Sequence, residues 1–124
     1  WRDGAEAYLG ITVHGFPNLF MLYGPNTNLG HSSIIYMLES QIHYILECLD
    51  LLERRDLKFL EVRAERQNEF NRRLHERMER TVWQKDCDSW YKTASGRNTN
   101  NWPGFTFGYR LQTRHVREDD YRFA

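Results

Sequence analysis

Between Leu19 and Ile34 the chain passes from an uninterrupted apolar run, through glycine and proline, into a helix-spaced apolar segment. That succession restricts what the chain can fold into. Leu19–Tyr23 (LFMLY) suits a strand covered on both faces, as in a parallel sheet. Gly24-Pro25-Asn26 stops the run, Thr27 to His31 form a polar link, and Ser32 or Ser33 offers a hydroxyl N-cap to the segment beginning at Ile34. A strand that runs through such a loop into a helix N-terminus brings free backbone N–H groups and a positive dipole end to one spot. That spot favours an anion or the electron-rich edge of a cofactor. Generic α/β units share the pattern, so a turn whose glycines serve geometry alone stays open beside the ligand site.

The rest of the chain reads as alternating short strands and two long helices. Tyr8–Val13 (YLGITV) is a short strand or extended segment, followed by turns at His14-Gly15 and Pro17-Asn18. From Ile34 to about Glu53, apolar residues recur at Ile34, Leu38, Ile42, Ile45, Leu49 and Leu52, with Ile35, Met37 and Leu46 widening the stripe. This spacing predicts a helix with a broad buried face, closed by Arg54 and Arg55 at its negative end. Lys58–Arg63 predicts a short strand. Ala64 to about Trp83 predicts a surface helix with one thin stripe, Phe70, Leu74, Met78 and Val82, among interleaved Glu and Arg at pairing distance. Lys85–Asn101 reads as a loop rich in Ser, Asn, Asp and Gly. Phe105–Thr113 alternates as a strand would, and Glu118–Tyr121 suggests one helical turn.

Composition excludes several classes of function. With 124 residues there is room for one small domain, burying roughly two-thirds of its unfolded surface. Seventeen basic and seventeen acidic residues cancel, so no broad field favours nucleic acid or anionic lipid. The longest apolar runs fall far below the ~20 residues that span a membrane. Cys48 and Cys87 are distant in a charged chain, which points to reduced structural thiols and a cytoplasmic setting. His31, Ser32 and Ser33 are adjacent in sequence, which is no triad, and GxSxG is absent. His14, His31, His43, His75 and His115 show no HxxxH or HExxH spacing, so no metal site is expected. The helix histidines His43 and His75 read as surface residues.

Four short words carry a resemblance: Gly15-Phe16-Pro17-Asn18-Leu19-Phe20, Gly24-Pro25-Asn26, Gly30-His31-Ser32 and Glu39-Ser40-Gln41. A second block runs from Ser89-Trp90-Tyr91 through Gly96-Arg97-Asn98 to Trp102-Pro103-Gly104-Phe105. Together they resemble the C-terminal part of FAD-dependent, NADPH-using monooxygenases of the Baeyer–Villiger and flavin-containing kinds, most specifically over residues 7–44 and 86–114. Members of that family carry two dinucleotide-binding βαβ units with GxGxxG, and this chain has no GxGxxG and begins at Trp1 rather than Met. The resemblance therefore implies an α+β fragment derived from the C-terminal part of a flavoprotein with two dinucleotide-binding domains. Residues 1–56 would supply the last strand and helix of the FAD domain. Residues 57–124 would supply a strand–helix–loop subdomain with a lid over cofactor and substrate.

By the same resemblance, Gly24, Pro25, Asn26, Asn28, Leu29, Gly30 and His31 lie at the flavin, where the helix dipole and its N–H groups stabilise negative charge on the reduced ring. Ser89 and Trp90 match a Ser-Trp pair on a mobile loop that closes over NADP, with Tyr91, Arg97 and Asn98 nearby. Gly96-Arg97-Asn98-Thr99 departs from the better-known ketone-oxidising members. Trp102, Phe105 and Phe107 would pack the core or line a substrate pocket. The implied parent uses FAD, NADPH and O2 to insert one oxygen into a small organic substrate, either a ketone or a nucleophilic N or S atom. Both cofactors need the upstream domains, so this piece alone is expected to be inactive. It is also expected to self-associate through its uncovered apolar surface. The contrasting reading is a free-standing, non-catalytic α+β interaction module.

Overall fold

The computed structural model describes residues 1–2, 4–28, 34–80, 102–103 and 106–124. Helix α1 spans Ile34–Arg54, strand β1 Leu60–Val62, helix α2 Ala64–Met78 and helix α3 Thr106–Gln112. A 3-10 turn at Glu118–Asp120 then feeds strand β2, Tyr121–Phe123. Strands β1 and β2 pair antiparallel, with Leu60 opposite Phe123, Glu61 opposite Arg122 and Val62 opposite Tyr121. The chain's tail thus closes back on its middle. Among the described residues the arrangement of three helices and two strands is α+β.

Two adjoining clusters make the core. Tyr8, Leu9, Ile11, Tyr44, Cys48, Leu60, Val62 and Tyr121 form the first, and Met37, Leu74, Met78, Trp102 and Tyr109 form the second. Phe70 of α2 packs against both, lying edge-on to Tyr8 and stacked on Trp102. Each large apolar side chain fully buried here contributes about 1.5–3 kcal/mol. Polar groups inside are bonded to one another. The Tyr44 and Tyr121 hydroxyls meet at 2.7 Å, Thr12 Oγ1 lies 3.2 Å from the Tyr121 hydroxyl, and the Tyr8 hydroxyl donates to Asp120. Burial pushes all three phenols above their ordinary range, and for Tyr8 the Asp120 carboxylate adds to it.

Helix α1 is where the spacing predicts it, but its inward face is turned. Met37, Ser40, Gln41, Tyr44, Cys48 and Leu51 are the buried positions, whereas Ile42 and Leu49 of the expected stripe are 45% and 46% exposed. Ser40, Gln41 and Tyr44 find hydrogen bonds inside, and those bonds fix which face turns in. Helix α2 follows its thin stripe, with Leu74 and Met78 buried and Phe70 partly so, while Val82 lies outside the described residues. Its outer face carries Arg73 on Glu69 at 2.8 Å and Arg72 on Glu76 at 2.6 Å. These are exposed i,i+4 pairs of about 0.3–0.5 kcal/mol each.

Three sequence expectations are corrected. The LFMLY segment joins no strand among the described residues, and it bends at Leu22 and Tyr23, where Tyr23 is left-handed at φ 57. Met21 N–H donates to the Ile11 carbonyl at 2.8 Å, and Leu19, Leu22 and Tyr23 stay exposed. A two-faced buried strand needs sheet neighbours and a covering layer, and the described residues supply neither to this segment. Tyr8–Val13 is not a run of strand but a tight, buried turn closed by a Tyr8–Thr12 bridge, with Leu9 and Gly10 left-handed at φ 57 and 70. Phe105–Thr113 was expected as a strand, and Thr106–Gln112 is helical. Four-residue spacing, not alternation, governs its burial: Tyr109 and Thr113 are buried while Phe107 and Leu111 face outward.

Candidate functional site

The loop that the resemblance places at the flavin rests on an interlock of two glycines. A Cβ added at Gly24 would stand 2.1 Å from the Gly10 carbonyl oxygen, and one at Gly10 would stand 2.2 Å from Thr27 Cγ2. The 8–12 turn and the 24–27 segment therefore touch backbone to backbone, which no side chain would permit. Thr27 Oγ1 donates to the Gly24 carbonyl at 2.7 Å, and Asn26 takes a left-handed φ of 59 between them. Asn26 and Thr27 are buried.

Helix α1 and helix α3 hold this ledge from below. Tyr23 N–H donates to Gln41 Oε1 at 3.0 Å, Gln41 Nε2 donates to the Tyr109 hydroxyl at 3.2 Å, and that hydroxyl donates to the Leu9 carbonyl. Burial keeps the Tyr109 phenol protonated far above neutral pH, so it can donate there throughout. The Tyr23 hydroxyl donates to Asn28 Oδ1 at 2.5 Å, and the Asn28 carbonyl accepts from Trp102 N–H at 2.9 Å. The last contact joins the two blocks that carry the resemblance.

Of the residues expected at cofactors, the structure brings Gly24, Pro25, Asn26 and Asn28 together on this ledge, ahead of the first turn of α1. Leu29, Gly30, His31, Ser89 and Trp90 lie outside the described residues, as do Tyr91, Arg97, Asn98, Phe105, Ser32, Ser33 and Cys87. Trp102 belongs to the core at 3% exposure, edge-on to Tyr109 and under the Arg77 guanidinium, whereas Phe107 is 63% exposed. Phe107 instead rims an open groove of about 580 Å³ between α1 and α3, where Arg110 lies 3.6 Å over the Tyr36 ring. His43 sits exposed on α1 with Nε2 at 2.9 Å from the Arg114 carbonyl, and His75 is half-buried, its pKa lowered by burial.

Sequence reasoning missed Gln41, Tyr109 and Thr27 as the residues that fix the loop. One signal was available: Ser40 and Gln41 are uncharged polar side chains set in an apolar helix face, where each must find a partner.

Compared with known proteins, the chain is similar over its whole length to proteins named Baeyer–Villiger or FAD-binding monooxygenases. More narrowly, it is homologous to the Baeyer–Villiger enzymes. It is 50% identical over 126 residues to a Baeyer–Villiger monooxygenase of Pseudomonas aeruginosa, covering 100% of this chain and 24% of the relative. An FAD-binding monooxygenase (ktnD) of Aspergillus niger is 40% identical over 126 residues, covering 98% of this chain and 21% of the relative. The crystal structure of cyclohexanone monooxygenase from Rhodococcus sp. Phi1 bound to NADP+ shares the fold at a TM-score of 0.83 and 24% identity, over 98% of this chain and 24% of that one. No family model matches the chain. The chain spans about a quarter of the length of the curated relatives it matches.

Proposed function

We propose that this chain works as the C-terminal quarter of a Baeyer–Villiger monooxygenase, an enzyme that uses NADPH and O2 to insert one oxygen into a small organic ketone. The observation that carries this reading is the 50% identity to a Baeyer–Villiger monooxygenase across the entire chain. FAD, held mainly by upstream domains, supplies the redox and oxygen-transfer chemistry. The described residues fit a supporting role toward it. The Gly24–Asn28 ledge is rigid, anchored to Gln41, Tyr109 and Trp102, and leads towards the start of a 21-residue helix. Free N–H groups and the positive dipole end at such a start suit the electron-rich edge of a reduced ring. With Oδ1 held by Tyr23, the Asn28 amide is fixed in orientation, while buried Asn26 and Thr27 shape the ledge from inside.

In this division residues 1–56 complete the FAD domain, and residues 57–124 form the subdomain that carries the lid, with Ser89 and Trp90 toward NADP. Leu29, Gly30 and His31 complete the flavin edge. Charge balance and the free, buried Cys48 support a cytoplasmic setting.

The test is a chimera in which this chain replaces the matching segment of the Pseudomonas aeruginosa relative. A yellow protein that oxidises NADPH faster when a cyclic ketone is added, and releases the lactone, supports the reading. A well-folded chimera without flavin would return the chain to a non-catalytic module.

A further inference from the structure

Four arginines from two parts of the chain line one cleft of about 480 Å³. Arg66, Arg73 and Arg77 stand on one face of α2, at steps of seven and four, and Arg117 joins them from the approach to the 3-10 turn. Among the described residues two carboxylates, Glu69 and Asp120, line the same cleft. Glu69 is shared by Arg73 at 2.8 Å and Arg66 at 3.9 Å. Asp120 already accepts from the Tyr8 hydroxyl and lies 3.4 Å from Arg66. Arg77 lies over the Trp102 ring, 5.7 Å from its centre. Among the described residues no carboxylate pairs with Arg77 or Arg117.

Four guanidinium groups against two carboxylates leave an excess of two positive charges in the cleft. The excess is local, because the 17 basic and 17 acidic residues of the chain cancel. Arg73 and Arg77, four residues apart on a helix, also repel each other. The outer face of α2 is built differently, with Arg72 held by its own partner Glu76 at 2.6 Å. Behind the guanidinium groups Leu9, Leu74 and Trp102 are buried, and such a low-dielectric wall focuses the field into the opening.

From this concentration of charge we infer that the cleft binds the phosphate group of a small organic phosphate monoester. Such a group carries about two negative charges at neutral pH and several acceptor oxygens. It therefore answers the excess in full and meets guanidinium forks arriving from α2 and from Arg117, whereas a carboxylate brings one charge and oxygens in a single plane. Small-molecule pockets run from about 300 to 1,000 Å³, so the cleft has room for the body of the ligand as well as its phosphate. Phe70, half-buried at the same cleft, gives that body an apolar rest. The site stands on its own residues, whether or not the chain works beside a flavin.

The test titrates phenyl phosphate into the full-length chimera with the Pseudomonas aeruginosa relative, by calorimetry at constant ionic strength. Saturating NADP+ is present throughout, so that a pyridine nucleotide site is already filled. One equivalent should bind per chain, and more tightly than inorganic phosphate, because the ring rests on Phe70. Arg73→Gln and Arg117→Gln combined should weaken binding about tenfold or more, through the loss of charge-assisted contacts. Both side chains are exposed, and if the pair proves insoluble Arg117→Gln alone gives the same comparison. Arg117→Lys should weaken it less, since the charge stays and only the fork is lost. Arg54→Gln and Arg72→Gln combined remove two charges outside the cleft and should leave the titration unchanged. No binding by the unaltered chimera overturns the inference, and so does full binding by the Arg73 and Arg117 variant. Equal weakening in the two double variants also overturns it, because attraction to overall charge then explains the binding. Inorganic phosphate binding as tightly as phenyl phosphate overturns the organic ligand and leaves a site for the bare ion. The functional reading fails separately, through an unaltered chimera without flavin, and the titrations still decide the cleft.

Discussion

Gln41 Nε2 donates to the Tyr109 hydroxyl at 3.2 Å across 68 residues of sequence, and this bond ties the long helix to the short one beneath the Gly24–Asn28 ledge. The same side chain accepts from Tyr23 N–H at 3.0 Å, so one buried amide serves both the core and the loop. Replacing it with Leu in Gln41→Leu keeps the volume but removes both bonds. The Tyr23 N–H then loses its acceptor in a half-buried place, at a cost of about 1–3 kcal/mol. Denaturant unfolding should show that loss, and Tyr109→Phe combined with Gln41→Leu should cost less than the sum of the two alone. Additive costs would show that the two side chains do not act as a unit.

The glycines predict an order rather than a single value. Gly15 has a φ of 90 with nothing within 4 Å of an added Cβ, so Gly15→Ala meets backbone strain alone, about 1 kcal/mol. Gly10→Ala meets the same kind of strain at φ 70 and also a methyl at 2.2 Å, and Gly24→Ala meets a backbone carbonyl at 2.1 Å. Both should destabilise the chain by clearly more than Gly15→Ala in thermal unfolding. In the chimera they should also weaken flavin retention, because they pry the ledge from the 8–12 turn. Equal costs at all three positions would mean that the interlock is not tight.

What the sequence made legible follows from what was local. The periodicity of 34–53, the charged pairs of 64–78 and the turn at Glu118 all depend on neighbours within four residues, and each element stands close to where the spacing predicts it. The LFMLY run and the 105–113 alternation were misread for opposite reasons. LFMLY carries the composition of a covered strand, but among the described residues no sheet neighbour meets it. The 105–113 alternation fits two periods at once, and only the buried pair Tyr109 and Thr113 reveals the helical one. The β1–β2 pairing joins residues about sixty apart, and no local pattern announces it. At the candidate site the glycine and asparagine words were readable, whereas Gln41 and Tyr109 show their part only once α1 and α3 are packed.

Glu61 predicts a pH dependence. Its carboxylate accepts from Arg122 at 2.7 Å and from Gly15 N–H at 2.8 Å, with the His14 ring 3.6 Å away. The Arg122 bond first, then the Gly15 bond, hold its pKa below the usual carboxylate value, outweighing burial. The folded state thus binds this proton less readily than the unfolded state, whose carboxyl titrates near about 4.3. The stabilisation is present above that range and is lost as the pH falls through it toward the lower folded value. Glu61→Gln should therefore lower the unfolding temperature at neutral pH, and the gap to the parent chain should close on acidification. A gap that stays constant with pH would mean that ionisation of Glu61 contributes nothing.

Cys48 predicts silence toward thiol reagents. It is fully buried in the first cluster beside Tyr44, and burial, assisted by the neighbouring Glu47 charge, pushes its thiol up to about 12. Thiolate is the reacting species, so at neutral pH the folded chain offers this group neither access nor charge. In a Cys87→Ser background Cys48 is the only thiol in the sequence. Ellman's reagent should then release almost no colour from the native protein and one equivalent once denaturant is added. The rate of release should follow the concentration of the opened form, so that Gly10→Ala or Gln41→Leu speeds it about tenfold for each 1.4 kcal/mol of stability removed. Rapid labelling of the native chain would place Cys48 at the surface and break the first cluster apart as described.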